Sequence, residues 1–303
     1  MSAIKEKFNK LADKIRLRKK VRDFKKVCIY GILVMAAIVL LFPILFMVTN
    51  SFMSGEEVVM TYQQQTADTA ASKYTGFKLI PQMVSIIQYY NAVLRKPNFL
   101  VMFWNSVILT VPIVLIQIVV SVFGAYAFAK LKFPFREQLF FVFIVVMLMP
   151  LQVTLVPNYI VLKTLGIIGS FFAVILPGGF SAFGIVLLRQ YIRGIPEEYC
   201  EAAKIDGAGY FNTFSRVILP QCKGIIASLA ILSFIDNWNM VEQPLIFLSD
   251  STKYPLSIYL YNINQSEIGL AFASGVLYMI PVMLIYLYGE NYLVEGIQLS
   301  GIK

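Results

Sequence analysis

Six long stretches of the chain are apolar: Val27–Thr49, Pro97–Ala129, Gln138–Leu162, Thr164–Leu188, Gly224–Leu248 and Ile268–Gly289. Apart from Asp236 and Glu242 in the fifth, none contains a charged residue. About 20 apolar residues suffice to carry a helix across a bilayer core. Charge at the bilayer centre costs several kcal/mol, so uncharged runs of this length mark spans. The second is longer than the core requires and should include an approach segment or a tilt. Lys163 and a turn at Gly166 and Gly169 separate the third from the fourth. The pattern predicts an all-α membrane protein with six transmembrane helices. Its sections are a basic segment (1–26), a first span (27–49), a loop (50–96), a core of five further spans (97–293) and a tail (294–303).

Composition agrees with this reading. Hydrophobic residues make up 58% of the chain and charged residues 14%, against roughly 25% charged in soluble domains. The net charge of +9 would suggest nucleic acid or an acidic partner if it were spread out. It is not: residues 1–26 hold eleven Lys or Arg against Glu6, Asp13 and Asp23. Basic residues packed before a first span mark the cytoplasmic side, and nucleic acid is not an expected partner. A cleaved signal peptide does not fit, since the apolar run is too long and no small-residue cleavage site precedes Asn50. Lys130, Lys132 and Arg136 follow the second span; Arg189, Arg193, Lys204, Arg216 and Lys223 follow the fourth. Both groups fall inside when the N-terminus is inside, and six spans bring Lys303 inside as well. The 50–96 loop carries a polar tract, Tyr62 to Lys73, that reads as exposed.

Several chemistries are excluded. No histidine is present, which removes His-based triads and most zinc sites. Cys28, Cys200 and Cys222 lack metal-ligand spacing and do not read as a disulfide framework. No glycine is followed by lysine, so there is no Walker A loop to cradle ATP. No cofactor or metal is expected, and the chain does not read as an enzyme. The Gly178-Gly179 pair reads as a hinge or a close helix contact rather than a phosphate loop.

The connection 189–223 is long for a loop, and long loops tend to carry function. Ile195-Pro196-Glu197-Glu198 has the composition of a helix start, with proline in the first turn and carboxylates against the dipole. Gly207, Ala208 and Gly209 break that helix, and a second segment runs from Tyr210 to Pro220. The result is a cytoplasmic helix–turn–helix. Its small residues Ala202, Ala203, Gly207 and Ala208 lie beside Glu201 and Asp206. Physical chemistry alone leaves two readings open, a helix resting on lipid headgroups or a docking surface.

The residue pattern is more specific. Glu201-Ala202-Ala203, three residues, Gly207, nine residues and Val217-Ile218-Leu219-Pro220 resemble the EAA motif of ABC-importer permeases, with Val217 in place of isoleucine. The run Glu201 to Ala208 is similar to the carbohydrate-uptake branch, in particular the second permease of maltose-type systems. Asn105-Ser106, Ala125–Pro134, Met149-Pro150-Leu151-Gln152, Trp238-Asn239 through Pro244-Leu245 and Tyr292–Gly296 agree, so the resemblance covers Asn105 to the C-terminus. It implies that Glu201, Ala202, Ala203 and Gly207 dock with a cytoplasmic ATPase dimer, that Asp206 braces the turn, and that Pro220 redirects the chain into the fifth span. It also implies a second homologous permease, an extracytoplasmic solute-binding protein and a sugar substrate, moved by alternating access.

A sugar path needs polar side chains facing the bundle interior. The candidates are Asn105, Gln152, Asp236, Asn237, Trp238 and Asn239, with Gln117, Ser121, Thr154, Asn158 and Trp104 behind them. Each has a plainer reading as an interhelical hydrogen bond, or for Trp104 an interfacial anchor. On a continuous fifth helix Asp236 lies roughly 18 Å from Gly224 and Glu242 roughly 27 Å. Three rivals remain: the same machine carrying a non-sugar solute such as glycerol phosphate, a secondary transporter, for which six spans show no inverted repeat, and a membrane enzyme, for which no paired carboxylates occur.

Overall fold

The computed structural model describes residues 2–63, 78–261 and 267–301, with side chains for residues 23, 25–62, 78–96, 98–260 and 267–293. The polar tract beyond Gln63 and the terminal Lys303 lie outside the described residues. The chain divides into two compact units, 1–88 and 89–303.

In the first unit one helix, α1 (Ser2–Ser51), continues without interruption from the basic segment into the first apolar stretch. Its span, Lys25–Ser51, has an apolar stretch with no buried residue, and only Asn50 and Ser51 at its end are buried within the chain, so its apolar side chains are left for lipid or another subunit. Beyond it Ser54 caps a short helix, Gly55–Val58, by accepting the Glu57 N–H. The Glu57 side chain is buried, and its carboxylate accepts from the N–H groups of Gln82 and Met83 at 2.9 Å each. Lys78 Nζ adds an ion pair at 3.3 Å. Burial pushes the Glu57 carboxyl up, but the two backbone donors and Lys78 outweigh it and hold the group below the usual carboxylate range.

The second unit is built around α2 (Pro97–Lys130). After it come α3 (Arg136–Met147), α4 (Leu151–Thr164), α5 (Phe172–Gly178), α6 (Ala182–Gly194), α7 (Glu198–Ile205), α8 (Tyr210–Gln221), α9 (Lys223–Trp238), α10 (Glu242–Phe247), α11 (Leu256–Tyr261) and α12 (Ile268–Gly301). Helix α2 packs against α5, α6, α9 and α11, and α12 covers α9. Among the described residues, four helical stretches are long and apolar enough to cross a membrane, or six if each of two bent pairs counts as one span.

The first of those bends, and a separate break after Trp238, interrupt the expected third and fifth spans. Helices α3 and α4 meet at 104° rather than forming one rod. The break falls at Leu148-Met149-Pro150, where proline has no N–H to donate and forces the preceding residue out of helical geometry. The fifth apolar stretch ends as a helix at Trp238, and Glu242 opens α10 instead of extending α9. The rise-per-residue depth inferred for Glu242 therefore does not apply.

Close approaches hold the centre together. A Cβ added at Gly179 would meet Ile116 Cγ2 at 2.6 Å, and one at Gly184 would meet Ser121 Oγ at 2.3 Å. The Gly178-Gly179 pair thus serves helix packing, and Gln117 Nε2 donates to the Gly178 carbonyl at 2.6 Å. At one end of the bundle a buried cation ties three helices. Arg189 of α6 donates to both Glu137 oxygens at 2.9 and 2.8 Å and to the Phe128 carbonyl at 3.1 Å. Its guanidinium also sits 3.6 Å from the Phe140 ring centre. A planar guanidinium can satisfy all these partners at once, and an ammonium cannot.

The Glu57 geometry fixes a pH dependence. Its folded pKa is lowered, so its contribution is complete above about pH 5 and is lost as pH falls through the folded value. Protection of amides 82 and 83, their exchange rate relative to an unstructured chain at the same pH, should fall on acidification in the wild type and should be low at all pH values in Glu57→Gln.

Candidate functional site

The segment 195–222 is folded by local signals. Helix α7 ends in a left-handed glycine, Gly207, at φ +81°. The Gly207 N–H bonds to Lys204 O at 3.0 Å and the Ala208 N–H reaches back to Ala203 O at 2.9 Å. These are the two bonds of a Schellman C-cap, and glycine takes that φ without the steric cost of a Cβ. Chain then runs through α8, whose middle, Phe214–Ile218, widens into a π-helical turn. Helices α8 and α9 meet at a bend of 74° across Cys222.

One side of this segment is core. Cys200, Phe214, Ile218 and Cys222 pack with Val122, Ala125, Tyr126, Leu188 and Ile192. Burial pushes the Cys200 thiol up, which keeps it protonated and inert. The other side is open: Glu201, Ala202, Asp206 and Gly207 are exposed, as are Tyr210 and Phe211 at 68% each and Ile205 at 87%. Two expectations need correction. Ala203 is buried rather than on the open face, where its small size lets α7 lie close to its neighbours. Asp206 is the C-cap residue, but the turn is braced by backbone bonds, and no side-chain bond of Asp206 contributes among the described residues. Pro220 is exposed in the last turn of α8, directly before the bend.

Helix α2 grips the segment at two points that sequence reasoning missed. Lys130 Nζ, with its side chain only 6% exposed, donates to Ile195 O at 2.7 Å and to Glu197 Oε2 at 3.1 Å. Tyr126 Oη donates to Tyr210 O at 3.2 Å, and the Phe214 ring lies 5.0 Å from both Phe123 and Tyr126. In sequence Lys130 and Arg189 register only as topology charges. Their burial depends on distant partners that no local pattern reveals.

The polar span residues separate into two groups. Asn105 Nδ2 staples α2 to the carbonyls of Thr252 and Tyr254. Trp238 is 1% exposed, stacks on Phe234 and donates Nε1 to Tyr278 O. Asn239 is tied to Ile235 O and to the Tyr278 hydroxyl. Gln152 donates to both Glu242 oxygens, at 3.1 and 3.2 Å. These four make interhelical or local bonds. Asp236 and Asn237 line a half-open cavity of about 570 Å³ together with Gln117, Thr154, Asn158 and Gln243, and Asn237 also donates to Ser233 O at 2.7 Å. Gln243 was not singled out from sequence, because it lies beyond the break that ends α9.

Apolar helices of membrane-spanning length, packed around α2 with a half-open cleft on one side, form a membrane-embedded bundle. The family model for "Binding-protein-dependent transport system inner membrane component" matches residues 83–297, and the chain belongs to that family. It is accordingly a permease subunit of an ABC importer and not an enzyme, working with a partner permease, an ATPase and a solute-binding protein. Among its relatives is the osmoprotective compounds uptake permease protein GgtD of Synechocystis, 34% identical over 71% of this chain and 74% of that protein. Another is the polygalacturonan/rhamnogalacturonan transport system permease protein YtcP of Bacillus subtilis, 28% identical over 91% and 96%. A solved structure of a bacterial ABC transporter involved in the import of the acidic polysaccharide alginate has the same fold. One of its chains superposes with a TM-score of 0.75 at 24% identity, over 88% of this chain and 95% of that one.

The two groups of residues should differ in stability. Truncating the buried Trp238 to alanine should cost about 3 kcal/mol or more and lower the melting temperature in detergent. Asp236→Asn should stay within about 0.5 kcal/mol of wild type, since it breaks no intrachain bond.

Proposed function

We propose that this permease carries a sugar or oligosaccharide inward, with both termini in the cytoplasm and residues 195–222 as the segment that couples it to an ATPase dimer. The observation that carries this reading is the open face of α7 and its Schellman turn, displayed on a segment whose other side is core. Glu201, Ala202 and Gly207 present a small-residue surface flanked by Ile205 and Phe211. Such a surface lets another protein approach the backbone closely, and a lipid-resting helix would turn its apolar side chains to one face instead of leaving Glu201 and Asp206 beside them. Saccharides named for relatives such as YtcP support the choice of solute. A second permease homologous to this one would complete the pathway, and a solute-binding protein outside the membrane would deliver the cargo.

On this reading ATP-driven closure of the ATPase dimer pushes on α7. The push reaches α2 through Lys130 and Tyr126, and the bundle rocks between its two open states as packed helices do in alternating access.

Substitution at Gly207 tests this. Proline cannot adopt the positive φ of that position, so Gly207→Pro should leave the subunit in the membrane while ATP is hydrolysed without uptake. Gly207→Asn, which tolerates a left-handed conformation, should keep most of the coupling. Normal uptake by Gly207→Pro would remove the coupling assignment, and uptake without an ATPase would remove the importer mechanism.

A further inference from the structure

In the first unit, the strap formed by residues 78–88 turns polar groups inward and apolar side chains outward. The N–H groups of Gln82 and Met83 donate to the buried Glu57 carboxylate, and the Gln88 side chain is buried. Ile80, Val84 and Ile86, by contrast, are 74, 73 and 71% exposed, and Leu79, Met83 and Ile87 are exposed beside them. This inverts the arrangement that water favours, and an apolar patch of this kind calls for an apolar neighbour.

Backbone hydrogen bonds fix the height of the strap. The Ser85 N–H donates to Phe52 O at 2.7 Å and the Ser54 N–H donates to Met83 O at 3.1 Å, while Met53 and Val84 form an antiparallel bridge. Residues 52–54 directly follow the end of α1 at Ser51. The span Lys25–Ser51 has 27 residues, about 40 Å of helix, which matches a bilayer measured across both headgroup regions. With Lys25 and Lys26 at one headgroup level, the strap lies at the other. The exposed apolar surface of α1 extends as far as Leu45, about 9 Å below Ser51 along the axis, so the lipid that solvates the span comes close to the strap.

The sequence of the strap suits a lipid surface. No Asp or Glu occurs between Lys78 and Lys96, Arg95 and Lys96 close the stretch, and Tyr89 and Tyr90 lie within it. Apolar side chains flanked by tyrosine, lysine and arginine are what holds protein at the boundary between acyl chains and anionic headgroups.

We infer that residues 79–87 form an interfacial anchor, lying in the lipid leaflet at the far end of α1 with Ile80, Val84 and Ile86 against the acyl boundary. The anchor fixes the height of the first unit in the bilayer. It rests on the topology proposed above only for its side: with the N-terminus in the cytoplasm, the leaflet is the outer one.

The test is made on the assembled importer in vesicles of phosphatidylethanolamine and phosphatidylglycerol, with other subunits that carry no accessible cysteine. In a Cys28→Ser parent, a nitroxide is attached at Val84→Cys, at Ile86→Cys or, as a water-facing reference, at Glu56→Cys, where the native side chain is exposed. Power saturation reads collisions with oxygen, which concentrates in lipid, and with a neutral nickel chelate, which stays in water. The oxygen-to-nickel ratio at 84 and 86 should be several-fold higher than at 56. A ratio equal to the reference would place the strap in water, and low collision rates with both reagents would place it under another protein surface; either result overturns the inference. If Val84→Cys fails to assemble, Ile80→Cys takes its place with the same expectation. The side is read separately, from labelling of Glu56→Cys by a membrane-impermeant maleimide added outside cells. Labelling from outside supports the outer leaflet. Labelling only after the membrane is opened overturns the outer placement and the proposed topology, while the collision ratio still decides immersion. A failed ratio with labelling from outside removes the anchor and leaves the permease reading intact.

Discussion

The ammonium of Lys130 holds one end of this molecule together. It lies nearly buried at the last turn of α2, donating to the Ile195 carbonyl and to Glu197 at the entrance to the open segment. Charge-assisted hydrogen bonds of this kind contribute about 1.5–3 kcal/mol. Tyr126, one turn earlier on the same helix, holds the Tyr210 carbonyl on the far side of the glycine turn. The segment is therefore attached to α2 at both of its limbs, and not only through its covalent connections to α6 and α9. A displacement applied at Ala202 or Gly207 has a short route into α2, the helix around which the second unit packs.

The same helix carries the rest of the architecture. Its close contacts at Gly179 and Gly184 seat α5 and α6 against it, and Arg189 locks α6 to its end and to α3. Where the chain departs from straight spans, at Pro150 and after Trp238, the departures open the space that becomes the cavity. Both breaks face it: Met149 and Leu151 lie on one side, Met240 and Gln243 on the other. Broken helices are tolerated in membranes where they border a cavity rather than lipid.

Much of this was legible in the sequence. Hydropathy and the distribution of Lys and Arg gave the apolar stretches and the clustering of charge, because each depends on short windows of chain. The glycine turn at 207 was legible for the same reason. Local reading failed where partners are distant in sequence. Trp238 and Asn239 resembled pathway residues and proved to be bonded to Tyr278 on α12, and Asn105 holds a loop nearly 150 positions away. Ala203 is buried, which the EAA pattern alone does not specify. Lys130 and Arg189 looked like ordinary inside charges, since nothing adjacent to them signals burial.

The central claim is that force enters the bundle through the Lys130 contact. It is tested most directly by the ratio of ATP hydrolysed to solute taken up in the assembled importer carrying Lys130→Met. Methionine keeps the packing of the stem but cannot hold Ile195 O or Glu197. The account predicts a ratio raised several-fold with assembly intact, and restoration toward the wild-type ratio in Lys130→Arg. An unchanged ratio in Lys130→Met would contradict it.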